Sequence, residues 1–577
     1  MQLSISGGNS GAKICVLPLS EENGISYWRV EMQLPQAEVP ACFSVKWQEP
    51  CVDCYSVWKP TFAAPKFLAP NWRKNKIESR LACCMPLEGV FSARDRNRVT
   101  VAVSDGVTPI TIGVGVSEET ACLEWKVEFF TVPTALRTAY SAVIRIDRRD
   151  VAFYESLQDA AQWWETDCGY PPAEVPEHAR LPMNSLWYSY HQQLDPEDIL
   201  KECRLSKAMG MDTVIIDDGW QTDDNNRGYA YCGDWELATG KIPDMAAFIR
   251  ELHTIGMKAM LWYSVPFMGI RSKNFARFQD MLLDQTGNRK DYFALDPRYQ
   301  EVRDFLIGIY ADAVQKWDLD GLKLDFIDSF RLAGKSLEED PRRDYASLED
   351  AIDRLMTDIL TTLRGIKKDI MIEFRQTYVG PAIRKYGNML RVRDCPNDPI
   401  INREEVIRLR MTSGTTPVHS DMLMWHPEER VECAALQMVS VLYGVPQISM
   451  KIAHLREDHR KMLAFYLRFW RQNRGILLDG ALRVSAPECL CAQVTAAKEG
   501  EAITTAYTDP LILAEGCKRL VAVNGTKQDF LLLKGAKGCA YQVVDCMGEL
   551  LRAGTVSEEL MTVEVPLAGM VEVLKNE

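Results

Sequence analysis

The sequence predicts a multidomain α/β protein: a central (β/α)8 barrel of the TIM type between an N-terminal β-sandwich and a small C-terminal antiparallel β-sandwich. Three observations predict it. Residues 1–150 are written in short runs that alternate apolar and polar side chains. From 183 to 480, eight short apolar runs alternate with amphipathic ones. From 481 to 577 the alternating runs return. A period of two marks half-buried strands, and apolar strands interleaved with amphipathic helices mark a parallel sheet. The chain's 577 residues leave room for several units of ~100–200 residues each.

The N-terminal strands are SYWRVEMQL (26–34), RVTVAVSD (98–105), TPITIGVGV (108–116), LEWKVEFFTV (123–132) and SAVIRID (141–147), separated by turn residues. A helical stretch at 151–165 and the proline-rich GYPPAEVPEHARLP (169–182) make 151–182 a linker. The barrel strands read as 185–191, 212–220, 258–265, 321–326, 370–376, 389–394, 417–425 and 445–450. The first barrel helix starts where Asp195 caps it and Pro196 suits its first position. After the helix 457–473, strands at 518–525, 529–534, 540–545 and 562–575 form the C-terminal sandwich.

Hydrophobic residues make up 47% and charged residues 25%, the balance of a globular protein with a large core. Lys plus Arg number 67 against 80 for Asp plus Glu, a net charge of −13 without basic clusters, which argues against a nucleic-acid partner. No run of ~18 apolar residues predicts a membrane span, and the N-terminus lacks a signal-peptide pattern. The odd count of 17 scattered cysteines suggests reduced thiols and a cytoplasmic protein. Cys51 and Cys54 form a CxxC, but the adjacent Cys83 and Cys84 suit one tetrahedral zinc poorly, so no metal is expected. A homo-oligomer is compatible with all of this.

Active sites of such barrels lie at the carboxyl ends of the strands, so acids ending apolar strands carry the chemistry. In GLKLDF, Lys323 and Asp325 are two apart and share one side of the strand; a neighbouring ammonium favours the charged carboxylate that a nucleophile needs. A buried structural ion pair is the plainer reading of that motif. The second strand ends in Asp217-Asp218-Gly219-Trp220, acceptors for sugar hydroxyls beside a flat indole, or simply solvated acids. The sixth ends in Arg391-Val392-Arg393-Asp394, with Asp398 soon after. Burial and an ionised nucleophile can keep the proton that a general acid requires, and the arginines can equally neutralise these acids. His419 and Asp421 read as pocket lining or hydrogen-bonded structure.

At these residues the sequence resembles the α-galactosidases of glycoside hydrolase family 36, in clan D, and the related raffinose synthase group. WYSYHQ (187–192), IIDDGWQ (215–221), GDW (233–235), KIPDM (241–245) and LKLDF (322–326) carry the resemblance. It implies an N-terminal β-supersandwich, a catalytic barrel and a C-terminal sandwich. It further implies Asp325 as nucleophile, Asp217 and Asp218 on the sugar's outer hydroxyls, Lys323 on a ring hydroxyl and Trp235 as a pocket wall. Trp187, Trp220, Arg375 and Arg391 complete the expected substrate contacts. Asp394, with Asp398 as the alternative, is the expected acid/base, although RVRDCPND departs from the family's Ser-Asp-Asn pattern. EFRQTYVG (373–380), with Glu373 and Arg375, replaces the family's cysteine- and glycine-rich fifth strand.

The expected reaction is hydrolysis of a terminal α-linked galactose-type residue in an oligosaccharide or glycoside, by double displacement and without a cofactor. Transfer of the sugar to an acceptor alcohol, as in raffinose synthase, uses the same residues. A metal-dependent barrel lyase with Asp217, Asp218 and Asp325 as ligands is the rival from another class.

Overall fold

The computed structural model describes residues 3–73, 76–283, 291–332, 338–375 and 377–575. Eight parallel strands form the central sheet: β1 Met183–Ser185, β2 Thr213–Ile216, β3 Lys258–Ser264, β4 Gly321–Asp325, β5 Met371–Arg375, β6 Met389–Arg391, β7 Val418–His419 and β8 Gln447–Ile448. They are hydrogen-bonded in the order β7-β6-β5-β4-β3-β2-β1-β8, and a parallel bridge from His419 to Val445 joins the two ends. The sheet is a closed barrel.

The strands are shorter than the apolar runs that announce them. The first begins two residues earlier than predicted and stops at Ser185, and Trp187–Tyr190 form a helical turn instead. The sixth stops at Arg391 and the second at Ile216, so Asp394 and Asp217–Trp220 sit on loops above the sheet. Barrel strands need only span the packed interior; the apolar residues beyond them bury under loops.

Helices Pro196–Ala208, Met245–Ile255, Gln300–Trp317, Leu348–Ile366, Pro399–Arg410, Val431–Ser440 and Glu457–Asp479 alternate with the strands. Between β5 and β6 the described residues form only a short 3-10 turn, Ile383–Lys385. Gly387 closes that connection: a Cβ there would run into the Phe374 ring. Asp195 caps the first barrel helix as predicted, accepting from the Glu197 and Asp198 amides.

Antiparallel sheets of five and six strands pack face to face between residues 4 and 147. Six of their eleven strands escaped the sequence reading, among them Phe43–Pro50. Trp47 and Trp125 are opposite in register and stack at 6.0 Å and 7°, anchoring that core. The helix Phe153–Thr166 follows. Residues 481–574 form sheets of seven and three strands, antiparallel except for the parallel pairs Glu501–Ala506 with Arg519–Asn524 and Leu511–Leu513 with Phe530–Lys534. The stretch 562–575 is two strands, Leu560–Glu564 and Met570–Leu574, in different sheets. Among the described residues no helix is long and apolar enough to cross a membrane, and every cysteine is a free thiol.

Candidate active site

Alternation along β4 turns Leu322 and Leu324 one way and Lys323 and Asp325 the other. Register sets Lys323 beside Trp262 of β3 and Glu373 of β5. One step higher, Asp325 meets Arg375.

Asp325 is 5% exposed and fully bonded on one oxygen. Its Oδ1 accepts from the Phe326 amide at 2.8 Å, the Tyr378 hydroxyl at 2.9 Å and Arg375 Nε. Oδ2 accepts from Trp262 Nε1 at 3.0 Å. Burial alone would raise its pKa; Arg375, Lys323 and the hydrogen bonds outweigh burial and hold it well below the usual carboxylate range. Phe326 adopts a left-handed backbone (φ 65°) immediately after it, a conformation costly for a bulky side chain that turns the loop away from the acid.

Lys323 is not the direct partner of Asp325. Its Nζ bonds Asp217 Oδ2 at 2.6 Å, with both side chains about 95% buried. The Asp217 Oδ1 accepts the Asp218 amide. Asp218 is held by Gln192 at 2.7 Å and Gln221 at 2.6 Å, and burial together with neighbouring Asp217 pushes its pKa up to about 6.

Asp394 is half exposed, with Oδ1 2.9 Å from Arg391 Nη1 and Oδ2 3.9 Å from Arg375 Nη1. Arg375 therefore spans both acids, its guanidinium 4.8 Å over the Phe326 ring. Burial and Asp325 push the Asp394 pKa up, yet Arg391, Arg375 and Lys323 prevail and lower it. The expectation that burial and an ionised neighbour keep this acid protonated fails in the free protein: two guanidiniums outweigh one carboxylate. Asp398 faces elsewhere. It caps the helix Pro399–Arg410, accepting from the Ile400 and Ile401 amides at 3.0 and 2.9 Å.

Two expected substrate contacts lie beneath the site. Trp220 is fully buried, its Nε1 bonded to the Trp262 carbonyl and its ring packed on Trp235 and Tyr263, so it cannot wall a pocket. Arg391, 1% exposed, is bound to Asp394 and to Asp421 Oδ1 at 2.6 Å, and supports the acid from below. Trp235 is 5% exposed, and its Nε1 has no hydrogen-bond partner among the described residues. Trp187 is half-buried, edge-on to His191 and 5.9 Å from the Arg227 guanidinium.

Sequence reasoning missed Trp262 and Tyr378, which hold the carboxylate of Asp325, and Tyr229, whose ring lies 5.3 Å from Phe326 and 6.3 Å from Trp262. It also missed Tyr188 as a partner of Asp421, at 3.0 Å. Asp421 is buried structure, as expected, and His419 bonds the Ala179 carbonyl. The available signal was position: Trp262 stands near the end of its strand, where barrel residues meet ligands.

The family model described as Melibiase matches residues 178–480, more than half of the chain. The chain belongs to the Melibiase family. The barrel and every acid above fall inside that match. Among curated relatives, the α-galactosidase AgaA of Geobacillus stearothermophilus is 23% identical over 148 residues, 23% of this chain and 20% of that protein. An α-galactosidase of Escherichia coli is 26% identical over 157 residues, 26% of this chain and 22% of the relative. These alignments thus span about a fifth of the relatives' length. The fold likeness reaches further: AgaA solved in complex with raffinose superposes with a TM-score of 0.67 at 13% identity, covering 98% of this chain and 81% of that one. The galactosidase domain of an α-galactosidase–sucrose kinase gives 0.62 at 14% identity, covering all of this chain and 86% of the other. This Melibiase chain shares their fold along nearly its whole length and little of the sequence.

Proposed function

We propose that the chain is a retaining α-glycosidase acting on terminal α-galactosyl-type residues of oligosaccharides or glycosides. One observation carries the reading: an ionised Asp325 at the end of β4 is joined through Arg375 to a second acid, Asp394, at the mouth of the same barrel. The family match and the relatives named as α-galactosidases support the sugar.

Asp325 attacks the anomeric carbon through Oδ2, the oxygen with a single donor, as the glycosidic C–O bond breaks. Asp394 protonates the departing oxygen. Its half-exposed side chain is ionised in the free protein; a sugar entering between the acids desolvates it beside anionic Asp325, and both effects favour the protonated form. The covalent glycosyl-enzyme then reacts with water deprotonated by Asp394, which restores Asp325 and retains the configuration. Asp217, Asp218 and Lys323 hold hydroxyls, and Tyr229 and Phe326 offer an apolar wall. An acceptor alcohol in place of water would give transglycosylation from the same intermediate.

A cation bound by Asp217, Asp218 and Asp325 together would have to displace Lys323 Nζ and the amides of Gln192 and Gln221, which disfavours the lyase reading. Screening nitrophenyl α- and β-glycosides, and following the first-formed anomer by NMR with and without an acceptor alcohol, tests the proposal. Release of the α-anomer first from an α-galactoside is expected. An initial β-anomer, or cleavage of β-glycosides only, overturns it.

A further inference from the structure

A groove of about 870 Å³ that shares no lining residue with the candidate active site lies between the outer face of the six-stranded N-terminal sheet and the helix Phe153–Thr166. Strand register builds its floor. Tyr27 stands opposite Arg145 and Ile25 opposite Asp147, and alternation adds Ser141 and Val143 to the same face. The helix supplies Trp163, whose ring makes a corner with Tyr27 at 6.0 Å and 49°. Both rings are half-buried, with surface left for a ligand.

Arg145 is the unusual member. It lines the groove yet is 1% exposed. Its Nη2 bonds Asp147 at 3.2 Å, while Nε and Nη1 have no acceptor among the described residues. Those two nitrogens are sealed from solvent, so Arg145 sets the charge of the groove floor from beneath rather than by touching a ligand through them. The lining also carries four carboxylates: Asp159 is paired with Arg149, Asp105 accepts from the Val107 and Thr108 amides and the Tyr140 hydroxyl, and Glu22 and Asp167 are exposed. The exposed pair of carboxylates repels an anionic ligand and suits hydroxyls, which donate to them. The aromatic corner offers flat apolar faces for the C–H side of a pyranose. The volume falls within the ~300–1,000 Å³ of small-ligand sites.

We propose that this groove is a second, non-catalytic saccharide site for neutral oligosaccharides. The class of ligand rests on the α-galactosidase reading; the groove and its chemistry do not.

Calorimetric titration of full-length Asp325→Asn protein with stachyose tests it. Two classes of site are expected. Trp163→Ala, in the same background, is expected to weaken one class at least tenfold and leave the other. Ser141→Trp changes an exposed groove residue and fills the space, giving the same answer should Trp163→Ala unfold. Each substitution alone, in active protein, is expected to keep kcat/KM on a nitrophenyl α-galactoside within twofold. A single class of site, unaffected by either substitution while wild-type protein hydrolyses stachyose, overturns the groove and leaves the catalytic reading intact. Binding lost in Trp163→Ala by a protein that hydrolyses no α-galactoside supports the groove and removes the catalytic reading.

Discussion

Arg375 donates Nε–H to Asp325 Oδ1 while its Nη1 stands 3.9 Å from Asp394 Oδ2. One guanidinium thus sets the charge of both proposed catalytic acids. Removing it takes away a cation that lowers the pKa of each. In Arg375→Gln, both limbs of the kcat/KM profile on an unactivated oligosaccharide should therefore move to higher pH, with Arg375→Lys in between. An unmoved profile would show that the guanidinium does not act on these acids.

Because Asp394 is ionised in the free wild-type protein, proton delivery should limit poor leaving groups. The kcat/KM for an oligosaccharide should rise as pH falls from 7 to 5, whereas nitrophenyl substrates, whose leaving groups need little protonation, should respond less. Parallel pH profiles for the two substrates check this.

Asp394→Ala should lower kcat by about 10²–10⁴-fold on oligosaccharides. Asp398→Ala removes only a helix cap, and should lower stability by about 1 kcal/mol with kcat nearly unchanged. Kinetics and urea denaturation of the pair decide between the two acids. Asp325→Ala should abolish turnover in a folded protein.

The Lys323–Asp217 pair is buried on both sides. Lys323→Met leaves Asp217 with an unpaired buried charge and should cost about 3–5 kcal/mol in denaturant unfolding, much of it recovered in Lys323→Met/Asp217→Leu. No recovery in the double variant would argue against the pair as the origin of the loss.

Asp218 binds its proton more tightly folded, at about 6, than unfolded, at ~3.9. Between these values the folded state holds more protons, so this group makes stability fall as pH rises from about 4 to 6. In Asp218→Asn that contribution to the pH slope should vanish, measured as unfolding free energy across the interval.

The layered plan, and the placing of acids at the barrel mouth, can be read from the sequence alone. Periods of two and of interleaved strand and helix follow from which side chains face a core, and that pattern is local. Asp325, Asp217 and Asp218 were legible because a polar residue ending an apolar strand has few places to go in a barrel except its mouth. What the tertiary structure decided was partnership. Lys323 shares a strand face with Asp325 yet bonds Asp217, 106 positions away in the chain. Trp220 stands next to two acids but folds under them. Asp398 and Asp394 are four residues apart, and only the start of a helix separates their roles. Trp262 and Arg375 reach Asp325 from the neighbouring strands, and Tyr378 from the connection after β5. Barrel closure brings these residues together, and the strength of each contact depends on burial and direction in space, neither of which spacing along the chain encodes.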